Sequence, residues 1–300
     1  MPESNGPRPE QRGKTCTTSR PMGTTRNHRM LRAALIPSPD GQKIATSRSL
    51  LSPENVVDPH LAETCASSIP KFIIYSMQRS GSIFLSAVLE QILSVNMGYE
   101  VFRESRPVKS PSLTESILKQ AEKNGLNGYL IQHQDVKDQE WLLPMLKASN
   151  ASVIFLKRLD LLAAFLSWET QRAHKRVQEW HCTTTECLER FDKLTIRPKM
   201  HVVQRYLAKR ENDILKQERL LTQLGFRYHT LTYEDLTSNV QVEACKIIQF
   251  LGCDCAVIGD TGVYTSLLKV HTKPKSSYFQ NWEEIVQLLK DTPYAWMLNA

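Results

Sequence analysis

The sequence predicts an α/β fold with three layers, α/β/α, built around a central parallel sheet. Apolar runs of strand length alternate with segments of helical periodicity, and no linker or internal repeat interrupts the chain after residue 70. The 300 residues are 41% hydrophobic, which is enough to bury a sizeable core. Strands that alternate with helices favour parallel pairing, because each crossover helix returns the chain to the same edge. We therefore expect one folded domain over residues 71–300.

The first 70 residues are predicted to be a disordered basic leader. They are rich in Ser, Thr, Pro, Gly, Asn and Arg, and they hold nine Lys or Arg against six acidic residues. Residues 1–50 hold nine basic and three acidic side chains, and this Arg-rich, acid-poor character is typical of an organelle transit peptide, but a tail without function fits as well. The location is therefore predicted as cytoplasmic, or organellar if the leader is a targeting segment. No apolar run is long enough to cross a bilayer.

Charge and cysteine content narrow the function only slightly. The net charge of +7 permits an anionic ligand without choosing one, and nucleic acid is not predicted. Seven cysteines are an odd number spread over a long chain, so we expect reduced thiols rather than a disulfide scaffold. Cys182 and Cys187, with His174 and His181 upstream, lack a second ligand pair at the usual spacing, and no metal site is predicted.

The strands and helices are predicted, in chain order, from the pattern of apolar residues. The first strand is predicted at 71–77, where β-branched and aromatic residues dominate, and a helix follows from 83 to 93. Three further strands are predicted at 128–133, 151–156 and 228–233, each of them before a segment of helical spacing. The intervening helices are predicted at 141–146, 204–221 and 240–251.

A small-residue turn joins the first strand to the first helix. The backbone N–H groups of such a turn and the N-terminus of the helix point at one place, which is the geometry of an anion site. Gly81 can adopt the positive φ that the turn needs, Arg79 adds a cation, and the hydroxyls of Ser80 and Ser82 can donate to phosphate oxygens. The nucleotide-hydrolase motif GxxxxGK[ST] is absent, since Ser82 and Ile83 follow the glycine, and ATP or GTP chemistry is therefore disfavoured.

A second anion site is predicted after the third strand. Arg158 lies at the end of that strand, and Ser167 lies nine residues later on the following helix. Ligands collect outside the carboxyl ends of parallel strands, so Arg79, Arg158 and Ser167 should converge on one rim of the sheet. Two anion sites suit a nucleotide that is phosphorylated at both ends.

These two motifs together resemble the sulfotransferases that use 3'-phosphoadenosine 5'-phosphosulfate. The resemblance covers residues 71–300, and it rests on Tyr75-Ser76-Met77-Gln78-Arg79-Ser80-Gly81-Ser82, Lys157-Arg158, Ser167, Tyr233-Glu234-Asp235-Leu236, Phe250-Leu251-Gly252, Lys269 and Asn281-Trp282-Glu283-Glu284. It implies a P-loop nucleotide-hydrolase-like fold. It also implies transfer, without a metal, of a sulfuryl group to a hydroxyl or amine of a small-molecule or carbohydrate acceptor. The oligomeric state is not predicted.

The resemblance also implies roles for single residues. The cofactor-binding set would be Gln78, Arg79, Ser80, Gly81, Ser82, Ile83, Arg158, Ser167 and Lys269. Within it, Arg158 and Ser167 would hold the 3'-phosphate, and Arg79 would also stabilise charge during the transfer. Arg158 and Ser167 are nine residues apart, which is one residue more than in many cytosolic members of the family. Lys269 either reaches the cofactor or belongs, with Lys273 and Lys275, to a solvated basic loop.

Two residues compete for the role of catalytic base. His133, at the end of the second predicted strand, is similar in context to the catalytic histidine of cytosolic sulfotransferases, and an imidazole suits a base near neutral pH. Glu100, after the first helix, resembles the carboxylate base of other branches. Residues 233–235 are expected to cap a helix and hold the sheet edge, and residues 169–220 to form a helical wall for the acceptor. A P-loop kinase without its lysine, or a non-catalytic nucleotide-binding protein, are the alternatives.

Overall fold

The computed structural model describes residues 64–65, 67–99, 102, 107–108, 110–135, 139–173, 182, 184–259, 267 and 269–300. These residues all belong to one unit, which runs from 50 to 300. The predicted leader and its targeting role lie outside the described residues, apart from the few residues before 70. The same is true of Glu100, His174 and His181.

In the described part of the chain, a five-stranded parallel sheet has the order β2-β3-β1-β4-β5. Its strands are β1 (Phe72–Ser76), β2 (Met97–Gly98), β3 (Gly128–Gln132), β4 (Ser152–Lys157) and β5 (Tyr228–Thr232). The prediction of an α/β fold with a parallel sheet is confirmed. The strand β2 was not predicted, because two residues are too few to show a period.

Nine α-helices accompany the sheet in the described residues. They are α1 (Ser82–Leu93), α2 (Pro111–Lys123), α3 (Gln139–Ala148), α4 (Leu161–Ala173), α5 (Thr185–Asp192), α6 (Met200–Gln223), α7 (Tyr233–Ser238), α8 (Val240–Phe250) and α9 (Trp282–Leu289). Single 3₁₀ turns lie at His133–Asp135, Cys255–Ile258, Lys275–Ser277 and Ala295–Leu298. The helix predicted at 204–221 is longer than expected, since it begins at Met200 and ends at Gln223.

Both faces of the sheet are covered, which gives the three layers. Alternate residues of β1 point to opposite sides: Phe72 and Ile74 pack with α1 and α8, whereas Ile73 and Tyr75 pack with α2, α3 and the end of α6. Every residue of β1 is therefore buried, as is usual for a central parallel strand. A third apolar cluster joins α4, α6 and α9.

The cysteines differ from the sequence expectation. Three disulfides, Cys65–Cys253, Cys182–Cys187 and Cys245–Cys255, join the described cysteines, so the prediction of reduced thiols is wrong. The seventh cysteine, Cys16, makes the count odd and lies outside the described residues. The pair Cys65–Cys253 is 188 residues apart in sequence, and only the fold brings its members together. It ties the segment before β1 to the end of α8, and Cys65 itself is buried in the core.

Candidate functional site

The turn between β1 and α1 is shaped by two residues with positive φ. Arg79 has φ 68° and Gly81 has φ 84°, and α1 begins directly afterwards at Ser82. Left-handed conformation at a non-glycine residue is costly and persists where the surroundings enforce it. Ser80 and Ser82 are buried beside the turn. The arrangement directs backbone N–H groups and a helix N-terminus to the carboxyl end of the central strand, where an anion would be stabilised.

The side chain of Arg79 reaches across to α4. Its Nε and Nη2 atoms donate to the hydroxyl oxygen of Ser167, at 2.9 Å and 2.7 Å. This contact is possible because β1 and β4 are parallel neighbours, with Ser76 opposite Leu156, so that the turns after both strands emerge at the same edge. The structure thus brings together two residues that the sequence placed on separate motifs.

Arg158 completes this group. Its Nη1 atom donates to the carbonyl oxygen of Arg79 at 3.3 Å, and its guanidinium lies over the ring of Tyr233, 4.4 Å from the centroid. Its Nε atom is buried and has no hydrogen-bond partner among the described residues. A buried N–H of a charged group is expensive to leave unpaired. The donor set of Arg79, Arg158 and Ser167 therefore fits a phosphate group.

The turn that carries Arg158 is held from two sides. The carboxylate of Glu234 accepts from the backbone N–H groups of Leu159 and Asp160, both at 3.0 Å. Asp160 accepts from the backbone N–H of Ala163 at 2.9 Å, at the start of α4, and it forms an ion pair of 2.7 Å with Lys275. Both side chains of that pair are 9% exposed. The supporting role expected for residues 233–235 is confirmed for Glu234, whereas Lys275 is a paired lysine rather than a solvated one.

His271 is a member of the site that the sequence reasoning missed. Its Nε2 atom lies 3.1 Å from the hydroxyl oxygen of Thr170, one helical turn after Ser167, and its backbone has φ 66°. Burial, the charge of Arg79 and the charge of Arg158, in that order, lower the pKa of His271 to about 3. The only signal in the sequence was a histidine among lysines in a late loop. Nothing in that pattern indicated proximity to the two arginines.

The remaining predicted cofactor residues lie less centrally. Gln78 is half-buried in the turn, and Ile83 packs its half-buried side chain against the apolar core beneath α1. Lys269 is exposed, and no hydrogen bond or ion pair within the described part of the chain joins it to the other predicted cofactor residues. Its role at the cofactor stays a prediction.

His133 follows β3 directly, at the same edge of the sheet. Its Nδ1 atom lies 3.4 Å from the hydroxyl of Tyr75, which itself donates to the side-chain oxygen of Gln217 at 2.6 Å. Burial lowers the pKa of His133; the nearby charge of Asp213 opposes the shift, whereas Lys209 and other cations of α6 add to it. The imidazole is therefore neutral at neutral pH, which is the form that can accept a proton. Glu100, the second candidate, lies outside the described residues.

Aromatic side chains line the junction of α4 and α6. The rings of Trp168 and Tyr206 lie 5.4 Å apart between centroids, and Phe165 meets Tyr206 edge-on at 5.1 Å. The guanidinium of Arg172 covers the Trp168 ring at 4.6 Å. Trp168 thus belongs to a packed aromatic group next to Ser167.

No metal centre or membrane span appears in the regions that the structure describes. No group of three or more His, Cys, Asp or Glu in the described ranges could hold a metal ion. Among the helices of these same ranges, none is both long and apolar enough to span a bilayer.

Comparisons with known proteins identify the family. Among solved structures, the chain is similar to a crystal structure of mouse sulfotransferase SULT7A1 complexed with PAP, with 18% sequence identity and a TM-score of 0.34. The match covers 66% of this chain and 65% of the mouse chain, so the likeness spans about two thirds of either protein. A search of curated proteins gives no match. The family model described as the sulfotransferase domain matches residues 70–287, which is most of the chain. With these matched residues and the fold described above, the chain belongs to the sulfotransferase domain family.

Proposed function

We propose that this protein transfers a sulfuryl group from 3'-phosphoadenosine 5'-phosphosulfate to a hydroxyl or amine of an acceptor. Membership of the sulfotransferase family supports the reaction class. The observation that carries the proposal is the buried Nε of Arg158, which has no partner among the described residues and lies next to the Arg79–Ser167 contact. A phosphate oxygen would satisfy this donor.

The residues divide the doubly phosphorylated donor between two subsites. Arg158 and Ser167 hold the 3'-phosphate, while the turn from Gln78 to Ile83 holds the 5'-phosphosulfate by its backbone N–H groups. Ser167 accepts two hydrogen bonds from Arg79, so its own hydroxyl hydrogen is left to donate to a phosphate oxygen. Glu234 and Asp160 keep the turn of Arg158 in place before any ligand arrives.

The chemistry assigned to the chain is proton removal and charge stabilisation. When bound, the donor supplies the sulfuryl group, and its phosphate is the leaving group. His133 lies at the carboxyl end of β3 with its Nδ1 atom 3.4 Å from the hydroxyl of Tyr75, and its neutral imidazole is the group that takes the proton of the acceptor. The backbone N–H groups of the turn stabilise the negative charge that develops on the leaving oxygen, whereas the guanidinium of Arg79, which contacts Ser167, belongs to the 3'-phosphate subsite. Glu100 is the alternative base.

Calorimetric titration with 3'-phosphoadenosine 5'-phosphate tests the binding part. The full chain should bind it, and Arg158→Ala should weaken the affinity by about tenfold to a hundredfold, as loss of a charge-assisted pair predicts. Arg227→Ala is the matched control, because Arg227 also lies over an aromatic ring, that of Phe250, but at the amino end of β5. Failure of the wild-type protein to bind would contradict the proposal.

A radiolabelled donor and a panel of alcohols, amines and glycans test the transfer. We expect transfer by the wild-type protein and its loss in either His133→Ala or Glu100→Ala. Full activity in the double variant would contradict both assignments of the base. Binding without transfer to any acceptor would instead favour the non-catalytic alternative.

We also propose that the protein resides in an oxidising compartment rather than in the cytoplasm. Three disulfides in one domain support this, because such bonds persist where thiols are not kept reduced. Alkylation of the protein in lysed source cells, followed by mass spectrometry, should find Cys65 and Cys253 protected until reductant is added. Free thiols at these positions would contradict the proposed location.

A further inference from the structure

His271 lies in a late loop, with its Nε2 atom 3.1 Å from the hydroxyl oxygen of Thr170 on the helix that also carries Ser167. We propose that His271 takes up a proton when the 3'-phosphate binds, so that it acts as a third cation of the phosphate site. This inference rests on the proposed function, since it needs a phosphorylated ligand between Arg79, Arg158 and Ser167. Arg79 and Arg158 are permanently charged, whereas the charge of His271 depends on whether the ligand is bound.

The loop holds His271 in place through one carboxylate. Asp192, the last residue of α5, accepts from the hydroxyl of Tyr278 at 2.5 Å and from the hydroxyl of Thr272 at 3.2 Å. Its backbone carbonyl accepts from the ammonium of Lys273 at 3.2 Å. These contacts fix Thr272 and Lys273, which directly follow the left-handed His271, and so help to maintain its costly conformation.

The hydrogen bonds of Thr170 define the tautomer of His271. The Thr170 hydroxyl donates to the carbonyl of Leu166 at 2.8 Å, and a hydroxyl has only one hydrogen. Towards His271 the Thr170 oxygen therefore accepts, so Nε2 of the imidazole carries the hydrogen. A proton taken up by His271 adds to Nδ1 and produces an imidazolium.

The charges around His271 explain why it is neutral without ligand. Arg79 from the β1–α1 turn and Arg158 from the β4–α4 turn both disfavour a third positive charge, and burial acts in the same direction. Asp192 from α5 opposes them, and Tyr278, whose ring meets the imidazole edge-on at 4.9 Å, is itself bonded to Asp192. The side chain that α4 contributes, Thr170, is uncharged.

A bound phosphate reverses this balance. Two negative charges beside Arg79 and Arg158 offset the cations that keep the pKa of His271 low, so the pKa rises in the complex. Because His271 then binds one more proton in the complex than in the free protein, the affinity for the fully ionised ligand increases as the pH falls below the pKa of His271 in the bound state. The increase approaches about tenfold per pH unit for a single proton.

Carbon-labelled histidine and NMR spectroscopy test the inference on the full chain. The ring signal of His271, assigned with His271→Asn or, if that variant does not fold, His271→Gln, should keep its neutral position from pH 8 to pH 5 in the free protein. With saturating 3'-phosphoadenosine 5'-phosphate it should move to the imidazolium position within that range. His229 is the matched control: its pKa is also lowered by burial, but it lies in β5 against Phe250, and its titration should not change with ligand.

The outcomes separate this inference from the proposed function. Absence of ligand binding at every pH contradicts the proposed function, and with it the inference. Binding with an unchanged titration of His271 contradicts the inference alone. Calorimetry in buffers of different ionisation enthalpy gives the same decision: at pH 5 the wild-type protein should take up more protons on binding, or release fewer, than His271→Asn, by up to one proton. Equal proton exchange in the two proteins overturns the inference, because the phosphate groups of the ligand lose the same protons in both.

Discussion

Tyr233 occupies the space that a side chain at residue 81 would need. A Cβ atom built on Gly81 would lie 2.3 Å from Cδ2 of Tyr233, whose ring is itself fixed by the guanidinium of Arg158. The two turns that we assign to phosphate binding therefore touch through a single aromatic ring. The absence of a side chain at Gly81 matters both for the φ of 84° and for this close approach.

Replacement of Gly81 by alanine should weaken both stability and ligand binding. The strained φ and the displaced Tyr233 together should cost roughly 1–3 kcal/mol of unfolding free energy, and displacement of the ring should also disturb Arg158. Urea unfolding and titration with 3'-phosphoadenosine 5'-phosphate measure the two effects. Gly125→Ala is the control, because Gly125 has φ 70° but no atom within 4 Å of the added Cβ. Equal effects of both substitutions on ligand affinity would contradict the role of Tyr233.

The residues of the candidate site were predictable where charged or polar residues directly follow a strand. Arg79, Gly81, Arg158 and Ser167 stand in a recognisable order, and the parallel sheet then places them at one edge. His271 was not predictable in this way. Its position depends on the hydrogen bonds of Asp192 with Thr272 and Tyr278, and these join a loop to a helix more than 70 residues earlier in the chain.

The elements differ in how far local pattern determines them. Strands β1, β3 and β4 are buried on both faces, and their continuous apolar runs predicted them to within a residue or two. The strand β2 has only Met97 and Gly98, and its pairing with β3 depends on the sheet already being present. Disulfide pairing, like the pairing of β2, is not determined by local sequence pattern, because it depends on where helices and loops meet in space.

Removal of the long-range disulfide should destabilise the domain more than removal of a short one. Loop-closure entropy predicts a loss of about 5 kcal/mol for the pair Cys65–Cys253 and about 2 kcal/mol for Cys182–Cys187, since the sequence separations are 188 and 5 residues. Chemical unfolding of the paired serine variants, C65S/C253S and C182S/C187S, measures the difference. The short pair is the control for loss of two cysteines. Equal losses would show that closure of the long loop does not contribute.

At the scale of the whole molecule, three histidines connect stability to pH. Burial is the largest cause that lowers the pKa of His133, His229 and His271. A histidine whose pKa is lower in the folded state binds fewer protons there than in the unfolded chain. Its contribution to stability is therefore complete above about pH 6.5, the ordinary value, and decreases as the pH falls towards the folded-state pKa.

The unfolding free energy of the ligand-free protein should decrease between pH 6.5 and pH 5. For His271, whose pKa is about 3, the slope should approach about 1.4 kcal/mol per pH unit. Urea unfolding at pH 7.5, 6.5 and 5.5 measures the slope, and His271→Asn should reduce it whatever the variant does to stability at pH 7.5. A free energy that is constant or rises on acidification would contradict these pKa shifts.

The Cys65–Cys253 bond also changes how the molecule would respond to mechanical force. Tension applied at the two chain ends passes from Cys65 directly to Cys253, so the whole five-stranded sheet lies in a covalent ring outside the force path. The ring hides 188 residues, or roughly 600 Å of extended chain. In a pulling experiment this length should appear only after reduction. A protease cut within the ring would likewise leave two fragments that separate only when reductant is added.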